Sequence, residues 1–272
     1  MKEPTIYWHL PGLFEFYELY KVFLPLFRGH REYFYDHGEI GSIYGAPCDA
    51  LWGGGRIGYG EENAENVAAL MKEYGISSRL TFSNSLLKEE HLSDKKCNKL
   101  CRLFEHNGEA ENGVIIYSDL LLEYIKDKYP GFYFVSSTTK VITDFAKFQA
   151  ELDREDYRFV VPDFRLNREL DKLKALNDSQ KNKVEFLCNE CCNFDCYDRK
   201  NCYENVCRKA LDEEVGDHVC VSPDVKRGYR FSEAMKNPGF IGIEDIKNTY
   251  SPAGFSNFKI EVIYINMAYL CA

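Results

Sequence analysis

The sequence predicts an α/β fold, a parallel (β/α)8 barrel of the TIM type that takes up all 272 residues as a single domain. Short apolar runs of strand length recur eight times between residues 41 and 260, and amphipathic segments with helical spacing lie between them. No interdomain linker or internal repeat interrupts the series. Because right-handed crossovers put the helices outside and bury the parallel strands, eight such units close into a barrel.

The first part of the chain has helical rather than strand spacing. Leu13, Phe16, Tyr20 and Leu24 mark a helix, so we predict that residues 1–40 form an N-terminal helical extension. A cysteine-rich insertion is predicted at residues 188–239, after the sixth strand and on the catalytic face. The predicted strands are 41–44, 78–82, 114–117, 132–135, 158–161, 184–187, 240–243 and 258–260.

The helices between the strands have recognisable ends. Apolar residues at 67, 70, 71 and 74 repeat at helical spacing, and Gly75 follows them as a stop signal. Cys97 and Cys101 lie on the apolar stripe of the next helix, which predicts that both thiols are part of the core. Ser118 or Asp119 can cap a further helix, which the sequence Pro130-Gly131 closes.

Charge and cysteine usage limit the compartment and the partners. The net charge of -9 argues against bulk affinity for nucleic acid. No secretory signal opens the chain, and the aromatic stretch 13–27 carries too many charges to cross a membrane. An odd number of cysteines, 11, argues for reduced thiols rather than a disulfide framework. We therefore expect a cytoplasmic protein with no membrane partner.

Six of the cysteines lie between residues 188 and 207, directly after a predicted buried strand. Clustered reduced thiols indicate metal or redox chemistry, because thiolate binds zinc and iron–sulfur clusters. The spacing matches neither a zinc ribbon nor a ferredoxin, which favours an iron–sulfur cluster held by an irregular set of cysteines, with structural zinc as the alternative. Cys188 and Cys191 are interpreted as buried small side chains. The candidate ligands are Cys192, Cys196, Cys202, Cys207 and Cys220.

Polar side chains follow nearly every predicted strand, and in a barrel these positions share one rim. Asn189 and Glu190, after the sixth predicted strand, are the candidate catalytic residues. The alternative is that polar residues follow strands simply because loops are solvated. The candidate substrate-binding residues are Tyr44, Arg56, Asn84, Lys140 and Glu244.

The loop Trp52-Gly53-Gly54-Gly55-Arg56 carries a more particular signal. Its glycines permit a tight turn with exposed amides, and Arg56 can form a fork to a carboxylate or a phosphate. It lacks the lysine of a P-loop and the glycine spacing of a dinucleotide fold. The loop is either a substrate or anion loop or a simple tight turn.

Together these residues resemble peptidase family U32 and its relatives, which include proteins that hydroxylate ubiquinone precursors and RNA bases without oxygen. The resemblance covers most of residues 41–261. The segments that carry it are Ser42-Ile43-Tyr44-Gly45, Asn189-Glu190 with Cys192 and Cys196, Phe240-Ile241-Gly242-Ile243-Glu244-Asp245-Ile246, and Phe258-Lys259-Ile260-Glu261.

The resemblance implies a barrel and, in several members, a [4Fe–4S] cluster held by four cysteines. Cys192 and Cys196 match best and Cys220 is a third ligand, while the fourth is open between Cys202 and Cys207. The chain departs from the family after Glu261, where Gly-Arg and a helix are usual and residues 262–272 continue differently.

Three functions follow as expectations. The first is an iron–sulfur enzyme for oxygen-independent hydroxylation or related redox chemistry, acting on a polar aromatic or nucleobase-type substrate. The second is a metal-stabilised U32-type peptidase with a peptide substrate, although the sequence shows no nucleophile and base at recognisable spacing. The third is a non-enzymatic barrel with structural zinc, which binds a small molecule.

Overall fold

The computed structural model describes residues 4–55, 63–222, 232 and 235–261. Eight strands form one sheet in which all neighbours are parallel, in the order β6-β5-β4-β3-β2-β1-β8-β7. An isolated parallel bridge between Val160 and Val184 joins the two ends of this sheet, so the barrel is nearly closed. The predicted (β/α)8 architecture is confirmed. The strands are β1 (Ile6–Pro11), β2 (Gly38–Gly45), β3 (Ser78–Phe82), β4 (Gly113–Ile116), β5 (Tyr133–Ser136), β6 (Tyr157–Val160), β7 (Glu185–Leu187) and β8 (Asn257–Lys259).

Helices follow the strands and cover the outside of the sheet. The predicted signals mark their ends: Gly75 adopts a φ of 64° after the second helix, and the Ser118 hydroxyl accepts a hydrogen bond from the Leu121 amide at the start of the fourth. Among the described residues, no helix is long and apolar enough to span a membrane. The helices are α1 (Tyr17–Gly29), α2 (Ala64–Tyr74), α3 (Lys95–Phe104), α4 (Asp119–Lys128), α5 (Phe145–Asp153), α6 (Leu170–Lys174), α7 (Asp178–Lys183) and α8 (Arg199–Ala210).

The predicted number of strands is correct, but one observed strand was not predicted and one predicted strand is not a strand. The extension predicted to be helical contains α1, but it also contains β1, which pairs with both β2 and β8. The predicted strand 240–243 is wrong, because Ile243–Asp245 begins a short helix that continues as a π-helix. There the Asp245 carboxylate accepts the Gly242 amide at 2.9 Å, which starts a helix rather than a strand. The cysteine-rich segment therefore follows the seventh strand in the structure.

The barrel interior is filled by alternate residues of the strands. Ile115, Val135, Val161 and Leu187 form an apolar layer inside it, against which Tyr44 and two further aromatic rings pack. A larger core lies between the strands and the surrounding helices. This arrangement leaves the interior layers nearest the two ends of the barrel free for polar side chains.

Candidate functional site

A cavity opens at the carboxyl ends of the strands, where barrel enzymes place their ligand sites. It encloses about 80 Å³ of space open to water-sized molecules. Its lining includes Tyr44 of β2, Thr81 of β3, Ser83 directly after β3, Lys259 of β8 and Glu261. We call this cavity the barrel mouth.

Three charged side chains meet beneath the barrel mouth, and we call them the floor cluster: Arg79, Glu185 and Lys259. Arg79 Nη1 donates to Glu185 Oε2 at 2.5 Å, and Lys259 Nζ lies 3.7 Å from Glu185 Oε1. All three are nearly completely buried. One carboxylate thus serves two cations, as buried charges require partners.

Burial and charge set the protonation of this cluster. Burial lowers the pKa of Lys259, Glu185 raises it and Arg79 lowers it, and together these effects bring it to about 8. Burial alone would raise the pKa of Glu185, but the combined effect of the charges of Arg79, His9 and Lys259 and of the Arg79 hydrogen bond is larger, and the pKa falls to about 2. Near neutral pH, the cluster therefore contains an ionised carboxylate and an amine close to its own titration point.

Two hydroxyl groups in the lining make no hydrogen bond within the described part of the chain. Thr81 Oγ1 and Ser83 Oγ are buried and have no hydrogen-bond partner among the described residues. Ser137 and Thr139, which follow β5 and also line the barrel mouth, bond to each other at 2.9 Å between their hydroxyl oxygens. A buried polar atom without a partner is costly, so the two hydroxyls on the β3 side are suited to a ligand or water.

Arg199, the first residue of α8, joins the two edges of the barrel. Its guanidinium bonds Asp163, which follows β6, at 2.7 Å, and it also bonds Glu190, which follows β7. The same group donates to the Tyr203 hydroxyl at 3.1 Å, and Tyr203 lines the barrel mouth. Helix α8 is thereby held across the gap between β6 and β7.

The two predicted catalytic residues lie beside the barrel mouth, but their side chains are used internally. Asn189 Nδ2 donates to the Glu261 carbonyl at 3.1 Å, and its Oδ1 accepts the Glu261 amide at 2.7 Å. The Glu190 carboxylate accepts the guanidinium of Arg199 and the amide of Cys192. Asn189 thus ties β7 to the end of β8, and the predicted catalytic roles of both residues stay predictions.

The predicted substrate-binding residues do not all converge. Tyr44 lines the barrel mouth, and its hydroxyl donates to the Ile260 carbonyl at 2.6 Å. Asn84 is fully buried and donates to the carbonyls of Leu51 and Cys207 at 3.1 and 3.2 Å. It therefore fixes the loop after β3 against the end of α8.

Lys140 and Glu244 point to other partners. Lys140 lies near the end of β5 and bonds the Glu151 carboxylate and the Tyr157 hydroxyl. Glu244 is exposed and accepts from Asn248 within the short helix, so its predicted position at a strand end is wrong, and its substrate role stays a prediction without that support. Arg56 lies outside the described residues.

The glycine loop before Arg56 lies very close to the backbone that follows β3. A Cβ on Gly54 would lie 2.4 Å from the Ser83 carbonyl oxygen, so only glycine fits there without a shift. The Asn84 amide also donates to the Trp52 carbonyl at 3.0 Å. This loop therefore packs directly on the end of β3.

Three of the predicted metal ligands are neighbours at the start of α8. The Cys196 thiol has its pKa raised by burial, lowered by the Asp198 amide, and raised again by the nearby charges of Cys192 and Cys220. His218 Nε2 lies 3.1 Å from the Asp198 carboxylate, which brings the segment before Cys220 to the same place. Their sulfurs are not all within 4.8 Å of one another.

The two remaining candidates differ. Cys202 lies one turn into α8, and its amide donates to the Asp198 carbonyl at 3.0 Å. It is therefore also close to the start of this helix. Cys207 is buried, and its sulfur accepts from the amide and the hydroxyl of Ser85 at 3.3 and 3.5 Å. Of these two, Cys202 therefore lies nearer to the start of α8, and the fourth ligand stays a prediction. Cys188, Cys97 and Cys101 are buried, as the sequence predicted, whereas Cys191, which was also interpreted as buried, is only partly buried.

A different group of ligand atoms, from Glu190, Cys191 and Glu261, lies within 4.8 Å of one another. The approach of two of them has another cause, because the Cys191 thiol donates to Glu190 Oε1 at 3.4 Å. The other Glu190 oxygen is bonded to Arg199. We therefore assign no ion to this group.

The floor cluster was missed at the sequence level, although the chain carries a signal for it. Polar residues occupy alternate positions at the end of β3, namely Arg79, Thr81 and Ser83, and Lys259 and Glu261 have the same relation at the end of β8. Alternate residues of a strand face the same side. Such a polar face on a strand that is buried on both sides indicates the lining of a barrel.

The fold and the site define a (β/α)8 barrel protein with a polar ligand cavity at the carboxyl ends of its strands. Among solved structures, that of the U32 peptidase Mk0906 is similar to the structure of this chain, with a TM-score of 0.56 and 14% sequence identity. The match covers 98% of this chain and 96% of that one. At this identity the likeness concerns the fold. No protein-family model and no curated protein matches the sequence.

Proposed function

We propose that this chain is a U32-like barrel enzyme that binds a polar substrate at the barrel mouth and holds a [4Fe–4S] cluster at the start of α8 for redox chemistry. Oxygen-independent hydroxylation of a polar aromatic or nucleobase-type molecule is the reaction class proposed. The observation that carries the proposal is that Cys192 and Cys220 lie near enough to Cys196 for their charges to raise its pKa, at the start of α8, the helix whose Tyr203 lines the barrel mouth.

The donor set fits a thiolate-bound centre. Cys192, Cys196, Cys202 and Cys220 are all partly accessible, unlike the buried Cys97, Cys101, Cys188 and Cys207. Four thiolates complete a cubane cluster or a structural zinc site. A bound cluster would supply one-electron transfer next to the substrate.

The chain's own residues provide the connection between the two sites. Tyr203 faces the barrel mouth from α8, and Arg199 one turn earlier holds the helix to Asp163 and Glu190. Arg165 completes the link, since it bonds Asp163 at 2.6 Å and donates to the Cys196 carbonyl at 2.8 Å. These residues orient the cysteine segment against the substrate cavity.

A peptidase reading receives less support from the site. Ser42, His9 and Glu185 have the connectivity of a hydrolytic triad, with 2.9 Å between Ser42 Oγ and His9 Nδ1 and 3.5 Å between His9 Nε2 and Glu185. However, Ser42 is fully buried and outside the lining of the barrel mouth, and burial lowers the pKa of His9 to about 3. Such a histidine is a poor general base, and no substrate reaches the serine.

The test is anaerobic purification followed by iron, sulfide and zinc analysis. We expect iron and acid-labile sulfide in the intact protein, their loss in Cys196→Ser, and their retention in Cys207→Ser, the control whose sulfur already bonds Ser85. Zinc without sulfide would contradict the redox proposal and support a structural zinc barrel. Full iron content in Cys196→Ser would contradict the ligand assignment.

A further inference from the structure

The amine of Lys259 is placed as a reactive group rather than as a structural charge. The residue is 5% exposed, yet it lines the barrel mouth. Its Nζ lies 3.6 Å from the centre of the Tyr44 ring and 3.7 Å from Glu185 Oε1. The Glu185 carboxylate makes its closer contact, at 2.5 Å, with Arg79, so the lysine holds the weaker position in the floor cluster.

The groups around the amine restrict the ligand. The hydroxyls of Thr81 and Ser83 have no partner among the described residues and can bond oxygen atoms of a ligand. Glu15 and Glu261 also line the barrel mouth, so a carboxylate ligand would meet like charges. The cavity of about 80 Å³ admits a small molecule or the end of a larger one.

We propose that Lys259 forms a Schiff base with a small, uncharged hydroxy-carbonyl compound, or with a substrate that ends in such a group. This inference rests on the barrel mouth being the substrate site, and it is independent of the metal centre. Nothing in the fold similarity assigns such a role.

The reaction balances without an external oxidant or reductant. The neutral amine attacks the carbonyl carbon, which forms the N–C bond of a carbinolamine. The C–O bond then breaks, and the oxygen leaves as water with two protons, both taken formally from the amine nitrogen. The carboxylate of Glu261 lines the same cavity and can carry a proton between nitrogen and oxygen. The Thr81 and Ser83 hydroxyls hold the ligand's hydroxyl groups.

The charged and titratable groups that face Lys259 come from four other strands and from its own. Arg79, Glu185 and the Tyr44 ring face it from β3, β7 and β2, and His9 of the neighbouring β1 stays neutral near pH 7. Glu261 lies two residues along the chain. Their combined effect with burial is a pKa of about 8, which leaves a fraction of the amine neutral at physiological pH.

The test is trapping with sodium borohydride in the presence of glycolaldehyde, on the anaerobically purified full chain, followed by peptide mapping. The expected result is a reduced adduct at Lys259, at least tenfold above any exposed lysine, with half-maximal trapping near pH 8. Pyruvate, which carries a carboxylate, should trap at least tenfold less. The Lys99→Met variant removes an exposed lysine paired with Glu65 and should trap as the unmodified protein does.

Lys259→Met should abolish the adduct. If that variant does not fold, mapping of the unmodified protein still decides the question. Labelling of Lys259 no greater than that of exposed lysines would overturn the Schiff base, and equal trapping of pyruvate would overturn the ligand class. Because the adduct does not need a metal, absence of iron would refute the redox proposal alone.

Discussion

Replacing Lys259 by Met is expected to stabilise the fold at neutral pH, although the lysine belongs to a buried ion cluster. Its pKa is lowered from 10.5 to about 8. One pKa unit corresponds to about 1.4 kcal/mol, so the folded chain loses about 3 kcal/mol of stability by keeping this amine protonated below pH 8. Methionine retains most of the apolar stem, and Arg79 still neutralises Glu185 at 2.5 Å. We expect the free energy of unfolding at pH 7 to rise by about 1–3 kcal/mol.

Urea denaturation at pH 7 and at pH 10 measures both parts of this prediction. Between pH 8 and 10.5 the unfolded chain binds more protons at this site than the folded chain, so this group's contribution makes the unmodified protein more stable as pH rises through that window. Lys259→Met should lack that rise, which isolates the contribution from those of other groups. Lys99→Met, at an exposed ion pair, should change stability by no more than about 0.5 kcal/mol. A loss of about 3 kcal/mol in Lys259→Met would refute the reasoning and show that the lysine is a structural ion partner.

Three further predictions concern other parts of the molecule. Arg199→Met leaves the carboxylate of Glu190 buried without its cation, while Asp163 keeps only Arg165, so we expect a loss of about 3–5 kcal/mol in the free energy of unfolding by urea denaturation. Gly54→Ala places a methyl group against backbone atoms at 2.4 Å and should lower the melting temperature, whereas a neutral result would contradict the close approach. His9 has a folded pKa of about 3 against 6.5 in the unfolded chain, so its contribution makes stability fall as pH drops below 6.5, and His9→Gln should flatten that fall in thermal melts.

The barrel architecture could be predicted because its strands are buried on both sides and therefore read as short apolar runs. Strand β1 escaped this criterion, since it carries His9 toward the barrel interior and lies next to a helix with a clear apolar stripe. The segment 240–243 met the criterion without being a strand. Ile241 is buried and makes one ladder-like bond, to the Cys188 carbonyl at 2.9 Å, whereas Ile243 is exposed and begins the short helix.

The site was predictable in part for a different reason. Proximity of Cys192 and Cys196 follows from their spacing, and the rim position of Tyr44 follows from the strand that ends there. The floor cluster joins Arg79, Glu185 and Lys259, which are far apart in the chain and meet only when the barrel closes. The spacing of these residues along the sequence does not indicate that they are in contact. The sequence does show the alternation of polar residues along each strand.

We expect the barrel to open first at the junction of β6 and β7. A bridge between Val160 and Val184 closes the backbone there, whereas β3 and β4 are paired along four residues. Arg199 spans the same junction at its carboxyl end through two carboxylates. Amide protons along this edge should therefore exchange with solvent earlier than those of β3 and β4, in native-state hydrogen exchange. Breaking the two ion pairs of this guanidinium would allow the barrel to open locally at the junction while the other strand pairs stay intact.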